Sequence, residues 1–166
     1  MATRAAAGPT YHGIDLGAVE EAVRLAERRT SGEIRVALAR FYFWGDVRRA
    51  AERAFGRLGM DRTRERNGVL IFVAPWRRRF ALLGDQGIHQ RLEPTFWDDL
   101  ARPLSAALRA GDLTGGLTRA IATIGDRLAT HFPLPAAEAG AGAGSGANEL
   151  PDRVALPQET GSRSRR

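Results

Sequence analysis

The sequence contains no cysteine among its 166 residues. It therefore offers no disulfide framework, no thiol nucleophile and no thiolate metal site. It also contains no lysine, so all 25 of its basic residues are arginine. Replacing every lysine by arginine is more typical of a coding bias than of a binding surface. The formal net charge of +6 is thus a weak argument for a nucleic-acid partner, and we expect none.

Long hydrophobic runs are absent as well. No apolar run approaches the roughly 18 residues that a membrane-spanning helix needs. The N-terminal segment 1–9 has no apolar core of the kind that a secretory signal requires. The hydrophobic content of 43% and the charged content of 27% are typical of a globular chain. We therefore expect a soluble, cytoplasmic protein without a membrane span.

The composition changes twice along the chain. Residues 1–13 show no apolar period and are predicted to be a flexible lead-in. Residues 14–133 carry alternating helical and strand-like patterns, which predicts one α/β domain. Residues 134–166 are dominated by alanine, glycine, serine and proline, which predicts a disordered C-terminal tail.

The domain's apolar patterns predict a small mixed sheet. Strands are predicted at 34–38 and 69–74, with a helix capped by Asp46 between them. A strand–helix–strand unit places its two strands parallel through a right-handed crossover. The short turn at 75–79 predicts that the next strand, 80–83, returns antiparallel. The rest of the domain is predicted to be helical, and Pro103 predicts a kink or a break in one helix.

Polar residues stand where these predicted strands begin or end. Because the first two strands are parallel and the third is antiparallel, Glu33, Glu65, Arg66, Asn67 and Asp85 should meet at one edge of the sheet. Carboxylate and amide oxygens suit hard cations, so Glu33, Asp85, Asn67 and Glu65 are candidate ligands for Ca²⁺ or Mg²⁺. The alternative is a salt-bridge network in which Arg35 or Arg66 pairs with Glu33 and Asp85, and Asp85 caps the following helix.

The opposite end of the predicted sheet combines aromatic residues with arginines. An aromatic loop at 41–45 and the turn at 75–79 place five candidates there: Phe43, Trp44, Trp76, Arg77 and Arg78. If these side chains are exposed, this end could dock a protein partner or an anionic surface. If they pack down, the aromatic residues simply cover the sheet edge.

Several short motifs occur in a familiar order. They are Thr30–Val36, Leu58–Met60 with Thr63, Arg66–Ile71, Gly84–Ile88 and His131–Pro133. Together they resemble the TPM-domain family, named for thylakoid-lumen, photosystem-II-associated and MOLO-type proteins. The resemblance covers roughly residues 14–133. It implies a three-layer α/β/α sandwich with helices on both faces of the sheet, in agreement with the predicted elements.

The resemblance also implies a function. It suggests an accessory module that binds a divalent cation or an unidentified protein partner, with Glu33 and Asp85 as the first candidate ligands. The alternative it implies is an acid-phosphatase-like hydrolase in which a metal ion activates water and Arg66 stabilises the added negative charge. No familiar phosphatase signature supports catalysis, because the segment 61–63 lacks the paired aspartate of a nucleophile loop. We therefore leave open whether the protein is an enzyme.

Overall fold

A computed structural model describes residues 9–40, 43–135 and 153–157 of the chain. The strands in this part are β1 (Thr10–Tyr11), β2 (Ile14–Asp15), β3 (Glu33–Leu38), β4 (Gly68–Ala74) and β5 (Arg79–Gly84). The α-helices are α1 (Leu16–Glu27), α2 (Val47–Arg57), α3 (Gln86–Arg91), α4 (Pro94–Ala110) and α5 (Leu113–His131). Short 3₁₀ turns occupy Met60–Arg62 and Pro75–Arg77.

The main sheet has the strand order β3-β4-β5. Strand β3 pairs parallel with β4, and β4 pairs antiparallel with β5. Glu33 lies opposite Gly68, and Val69 lies opposite Gly84. The starts of β3 and β4 and the end of β5 therefore meet at one edge, which confirms the predicted topology.

Alternate residues of the strands face two separate hydrophobic clusters. The larger cluster joins one face of the sheet, which includes Val36 and Ile71, to helices α1, α4 and α5. The smaller cluster joins the opposite face, which includes Ala37 and Phe72, to alanines of α2. All residues of β4 are buried, as expected for a strand that is covered on both faces. The predicted three-layer α/β/α sandwich is confirmed.

Aspartates begin four of the five α-helices in the described part of the chain. The side chains of Asp15, Asp46, Asp85 and Asp112 each accept a hydrogen bond from a backbone N–H at the start of their helix. Such bonds satisfy donors that have no partner inside the helix. Gly59, which follows α2, has a φ of 73° and allows the chain to turn away there.

The break predicted at Pro103 does not occur. Helix α4 continues from Pro94 to Ala110 with Pro103 in its interior. Pro103 lies on the exposed side of the helix, while its neighbour Leu104 is buried in the core. A proline on the solvent side can be accommodated by a bend around the core, where the buried face keeps its packing.

Ordered structure extends beyond both predicted domain boundaries. In the predicted lead-in, β1 pairs with β2, and the Tyr11 hydroxyl donates to the carbonyl of Ala39 at 3.1 Å. In the predicted tail, Ala155 forms a parallel β-bridge with Ala37 of β3. The other parts of these segments, residues 1–8, 136–152 and 158–166, lie outside the described residues, as do residues 41–42 of the aromatic loop. None of the described helices combines the length and apolar character needed to cross a membrane.

The cap of α5 makes part of the stability pH-dependent. Asp112 accepts hydrogen bonds from Arg119 at 2.8 Å and from the backbone N–H of Gly115 at 3.1 Å. The bond from Arg119, followed by that from Gly115, lowers the pKa of Asp112 below its ordinary value. A carboxylate whose pKa is lowered by folding stabilises the native state above its ordinary pKa, and this contribution is lost as the pH falls through the folded value.

We therefore expect Asp112→Asn to lower the melting temperature at pH 6, and we expect this loss to shrink as the pH falls through the lowered pKa of the carboxyl, because a protonated Asp112 is neutral like asparagine. The measurement is thermal unfolding across this pH range. A difference between the two proteins that stays constant from pH 6 to pH 2 would contradict the assignment.

Candidate functional site

A tight loop at residues 63–67 builds the edge where the polar residues meet. The buried Thr63 hydroxyl accepts a hydrogen bond from the backbone N–H of Asn67 at 3.1 Å, and the Thr63 carbonyl accepts one from Arg66 N–H at 3.1 Å. Arg66 itself has a φ of 53°, in the left-handed region. This conformation closes the loop just before β4. We call the edge formed by Glu33, Glu65, Asn67 and Asp85 the acidic edge.

Arg66 and Asp85 form a two-pronged ion pair at the acidic edge. Arg66 Nε lies 2.7 Å from Asp85 Oδ2, and Nη2 lies 3.0 Å from Oδ1. The hydrogen bond and the negative charge of Asp85 raise the pKa of Arg66. The Asp85 side chain is 6% exposed, and its Oδ1 also accepts the Gln86 N–H at 2.7 Å, which caps α3. Both carboxylate oxygens of Asp85 are therefore used inside the fold, as the salt-bridge alternative predicts.

Three side chains from two loops share a second hydrogen-bonded group. The Ser31 hydroxyl donates to the Glu65 carboxylate. The Asn67 amide nitrogen lies 3.2 Å from Ser31 Oγ and 3.4 Å from Glu65 Oε2. Asn67 is buried, whereas Glu65 is exposed. This group links the end of α1 to the start of β4 and leaves one carboxylate accessible to solvent.

Glu33 belongs to the same edge through its backbone. Its N–H donates to the Asn67 carbonyl at 3.3 Å, and its side chain is buried. Among the residues that the structure describes, no three side chains of His, Asp or Glu come together in a way that could hold a metal ion. An ion bound at this edge would depend on one exposed carboxylate together with hydroxyl, amide, carbonyl and water oxygens. Metal binding by Glu33, Asp85, Asn67 and Glu65 stays a prediction.

The opposite end of the sheet exposes two tryptophans. Trp44 is 72% exposed and Trp76 is 58% exposed. Phe43 lies differently, since it is half-buried against the smaller cluster with its ring centroid 6.2 Å from that of Phe72. Phe43 therefore anchors the aromatic loop, while Trp44 extends into solvent.

Two arginines stand beside the tryptophans in fixed positions. Arg77 donates to the Gly45 carbonyl at 2.7 Å, and its guanidinium carbon lies 6.0 Å from the centroid of the Trp44 ring. Arg78 donates to the Arg109 carbonyl at 2.7 Å. Because these bonds go to neutral carbonyl groups, they position both side chains without cancelling their charge. We call Trp44, Trp76, Arg77 and Arg78 the aromatic–arginine end.

An open groove of about 540 Å³ adjoins this end. Its lining residues come from the N-terminal hairpin, the β4–β5 turn and the start of α5: His12, Pro75, Trp76, Arg78 and Leu113. The groove is shaped by segments that are far apart in sequence, so no local pattern could have predicted it.

Comparison with known proteins identifies the family. The family model of the TPM domain, which carries the name TPM phosphatase, matches residues 15–127. This chain belongs to the TPM-domain family. The match covers the main sheet, helices α1 to α4 and most of α5, including both the acidic edge and the aromatic–arginine end, and it confirms the resemblance of the sequence motifs.

A solved structure with 31% identity agrees with this assignment. This TPM domain is similar to the BA42 protein from the psychrophilic bacterium Bizionia argentinensis, determined by NMR, with 31% identity over 95% of this chain and 100% of that one and a TM-score of 0.75. The N-terminal domain of the cg2496 protein from Corynebacterium glutamicum aligns at 17% identity over 68% of each chain, with a TM-score of 0.48. No protein of curated function matches the chain significantly.

Two polar residues of this TPM domain were not assigned from the sequence. Ser31 stands in the predicted junction before β3, but the pattern did not indicate that it bonds Glu65. Glu27, at the end of α1, is buried, and its carboxylate accepts the backbone N–H of Ile34 at 2.6 Å. A carboxylate seven residues before a strand residue gives no local signal, because the bond depends on how α1 lies against β3.

Gly87 of the TPM domain allows α3 to approach the loop of the acidic edge. Its N–H donates to the Arg66 carbonyl at 2.8 Å. A Cβ at this position would lie 2.3 Å from the Glu65 carbonyl oxygen and 2.7 Å from that of Arg66. No side chain can be placed there without moving backbone atoms.

We expect Gly87→Ala to lower the free energy of unfolding by about 1–3 kcal/mol, the usual cost of overpacking. The matched control is Gly56→Ala in α2, where a Cβ meets nothing within 4 Å. That change should be neutral or should stabilise the protein by up to about 1 kcal/mol, because alanine is the better helix former. Equal effects of the two changes in urea unfolding would show that α3 does not depend on this close approach.

Proposed function

We propose that this TPM domain is a non-catalytic accessory module that docks a partner protein through its aromatic–arginine end. The observation that carries the proposal is the exposure of Trp44 and Trp76 at one end of the sheet. In the described part of the chain, the exposed large hydrophobic side chains are Leu25, Trp44, Trp76 and Leu156. The two tryptophans are the largest of these, and they flank arginines that are already held in place.

The chemistry of this end indicates the kind of partner. Tryptophan and arginine are the residues most often responsible for binding energy in protein interfaces. The arginines carry positive charge, so a complementary surface would present carboxylates around an apolar side chain. The adjoining groove could receive that side chain between Trp76 and Leu113. We therefore propose an acidic protein segment with at least one large apolar residue as the ligand.

Truncating the tryptophans should remove the binding. We expect Trp44→Ala and Trp76→Ala each to weaken partner binding by about 30-fold, corresponding to about 2 kcal/mol for an interface hot spot. The measurement is quantitative mass spectrometry of proteins retained from a cell extract by the wild-type chain and by each variant.

The matched control is Leu25→Ala, which shortens an exposed hydrophobic residue on α1. A specific partner should be retained by the wild type and by the Leu25 variant but lost from both tryptophan variants. Equal retention by all four proteins would contradict docking at this end.

A second proposal is weak binding of Ca²⁺ or Mg²⁺ at the acidic edge. The observation in its favour is the exposed Glu65 carboxylate, which lies beside the Ser31 hydroxyl and the Asn67 amide. Oxygen donors of this kind suit hard cations, although tight calcium sites use more carboxylates. Binding through Asp85 as well would require its ion pair with Arg66 to open.

A bound cation should raise the melting temperature of the full chain, because a ligand that binds only the native state stabilises it. We expect a saturable rise with Ca²⁺ or Mg²⁺ relative to EDTA, and we expect Glu65→Gln to abolish it. The control is Glu52→Gln, an exposed carboxylate on α2. A melting temperature that is independent of both ions would contradict cation binding.

The alternative function is metal-assisted hydrolysis of phosphomonoesters at the same edge. The described residues fit at most a weakly held, hydrated ion, so we assign no catalytic step to it. Phosphatase activity that depends on added metal and is lost in Glu65→Gln would favour this alternative over the accessory role.

A further inference from the structure

The outer edge of β3 is covered by a short segment from the C-terminal region of the chain. Strand β3 ends the sheet on one side, so one row of its backbone groups faces away from β4. Ala155 N–H donates to the Val36 carbonyl at 2.8 Å, and the Leu38 N–H donates to the Ala155 carbonyl at 2.9 Å. These two bonds form a parallel β-bridge between the segment and the outer edge of β3.

Side-chain contacts position this segment as well. Val154 is 8% exposed and joins the larger hydrophobic cluster, while Ala155 packs against the smaller one. Leu156, the next residue, is 45% exposed. The Val154 N–H donates to the Glu20 carboxylate at 3.0 Å. The segment is therefore recognised by its backbone and by alternating side chains, which is the way a peptide is bound at a sheet edge.

Helix α1 provides part of this binding edge. Glu20 and Glu27 are seven residues apart, so they lie two turns apart on nearly the same side of the helix. Glu27 accepts the N–H of Ile34, and Glu20 accepts the N–H of the incoming segment. The Glu27 carboxylate thus accepts a backbone N–H of β3 itself. The Glu20 carboxylate accepts a backbone N–H of the segment that pairs with β3.

We propose that the outer edge of β3 is a peptide-binding site and that Arg153–Pro157 is its internal ligand. The partner ligand is an extended segment with the same pattern: a β-branched residue that enters the larger cluster, a small residue that faces α2, and a proline two positions later. Such a segment displaces Arg153–Pro157 and pairs parallel with β3. The site shares no residue with the aromatic–arginine end.

The connection between the ligand and the domain makes exchange feasible. Residues 136–152 lie between Pro135 and the described segment, and a chain of that length can span at most roughly 55 Å. A ligand on the same chain competes with free peptides through its local concentration, so a contact of two backbone bonds and one buried valine can be filled internally and still be displaced by a peptide that binds more tightly.

The test uses the full chain with Ala155→Pro, which removes the N–H that donates to Val36. A labelled synthetic peptide of residues 150–159 is titrated into this variant and into the wild type, and binding is followed by the amide NMR signal of Leu38. We expect saturable binding to the variant and binding at least about tenfold weaker to the wild type, because its own segment competes. A peptide with proline in the place of Ala155 should not bind.

A second variant keeps the test decisive if Ala155→Pro does not fold. Val154→Asp also disfavours the internal ligand, because it would bury a charge in the larger cluster. In both variants the Leu38 amide should exchange with solvent at least about tenfold faster than in the wild type. The Ala39 amide, which donates to Val73 at 2.8 Å, should keep its rate. Absence of peptide binding to both folded variants, or equal binding to variants and wild type, would overturn the proposal.

Discussion

The pairing of Arg66 with Asp85 is the interaction on which the architecture of the acidic edge depends. Asp85 directly follows β5, caps α3 and binds Arg66. Its carboxylate therefore connects the end of a strand, a helix and the loop before β4. The Gly87 N–H adds a backbone bond from α3 to that loop. Asn67, at the end of the loop, then meets Ser31 and Glu65. Polar side chains of this edge therefore hold neighbouring elements of the fold together.

The two ends of the sheet differ in how their polar groups are used. At the acidic edge, Asp85 bonds Arg66 and a backbone N–H, and Asn67 bonds Glu65. Burial of Asp85 and Asn67 makes these bonds costly to break. At the opposite end, Trp44 and Trp76 remain exposed beside positioned arginines. The exposed apolar end is the reason for which we propose a binding module rather than a hydrolase. The outer edge of β3 adds a third surface whose hydrogen bonds could be shared with another chain.

Much of this fold could be predicted from the sequence, because many of its elements depend on residues that are close together in the chain. The apolar run of β4, the aspartate caps and the short turn before β5 each depend on a few neighbouring residues. The convergence of the acidic edge followed from strand direction alone. The short segment at Val154 and Ala155 could not be predicted from the sequence, because it is positioned by contacts with α1 and β3. In the same way, the partial burial of Phe43 depends on Phe72, which lies far away in sequence.

The most direct test of the account is a double-mutant cycle on Arg66 and Asp85, measured in EDTA. Arg66→Met and Asp85→Asn would be made singly and together, and their thermal stabilities compared. If the pair holds the loop to α3, we predict that the double variant loses clearly less stability than the sum of the single losses. Strict additivity, or a coupling that appears only when Ca²⁺ or Mg²⁺ is added, would contradict the structural role of the acidic edge.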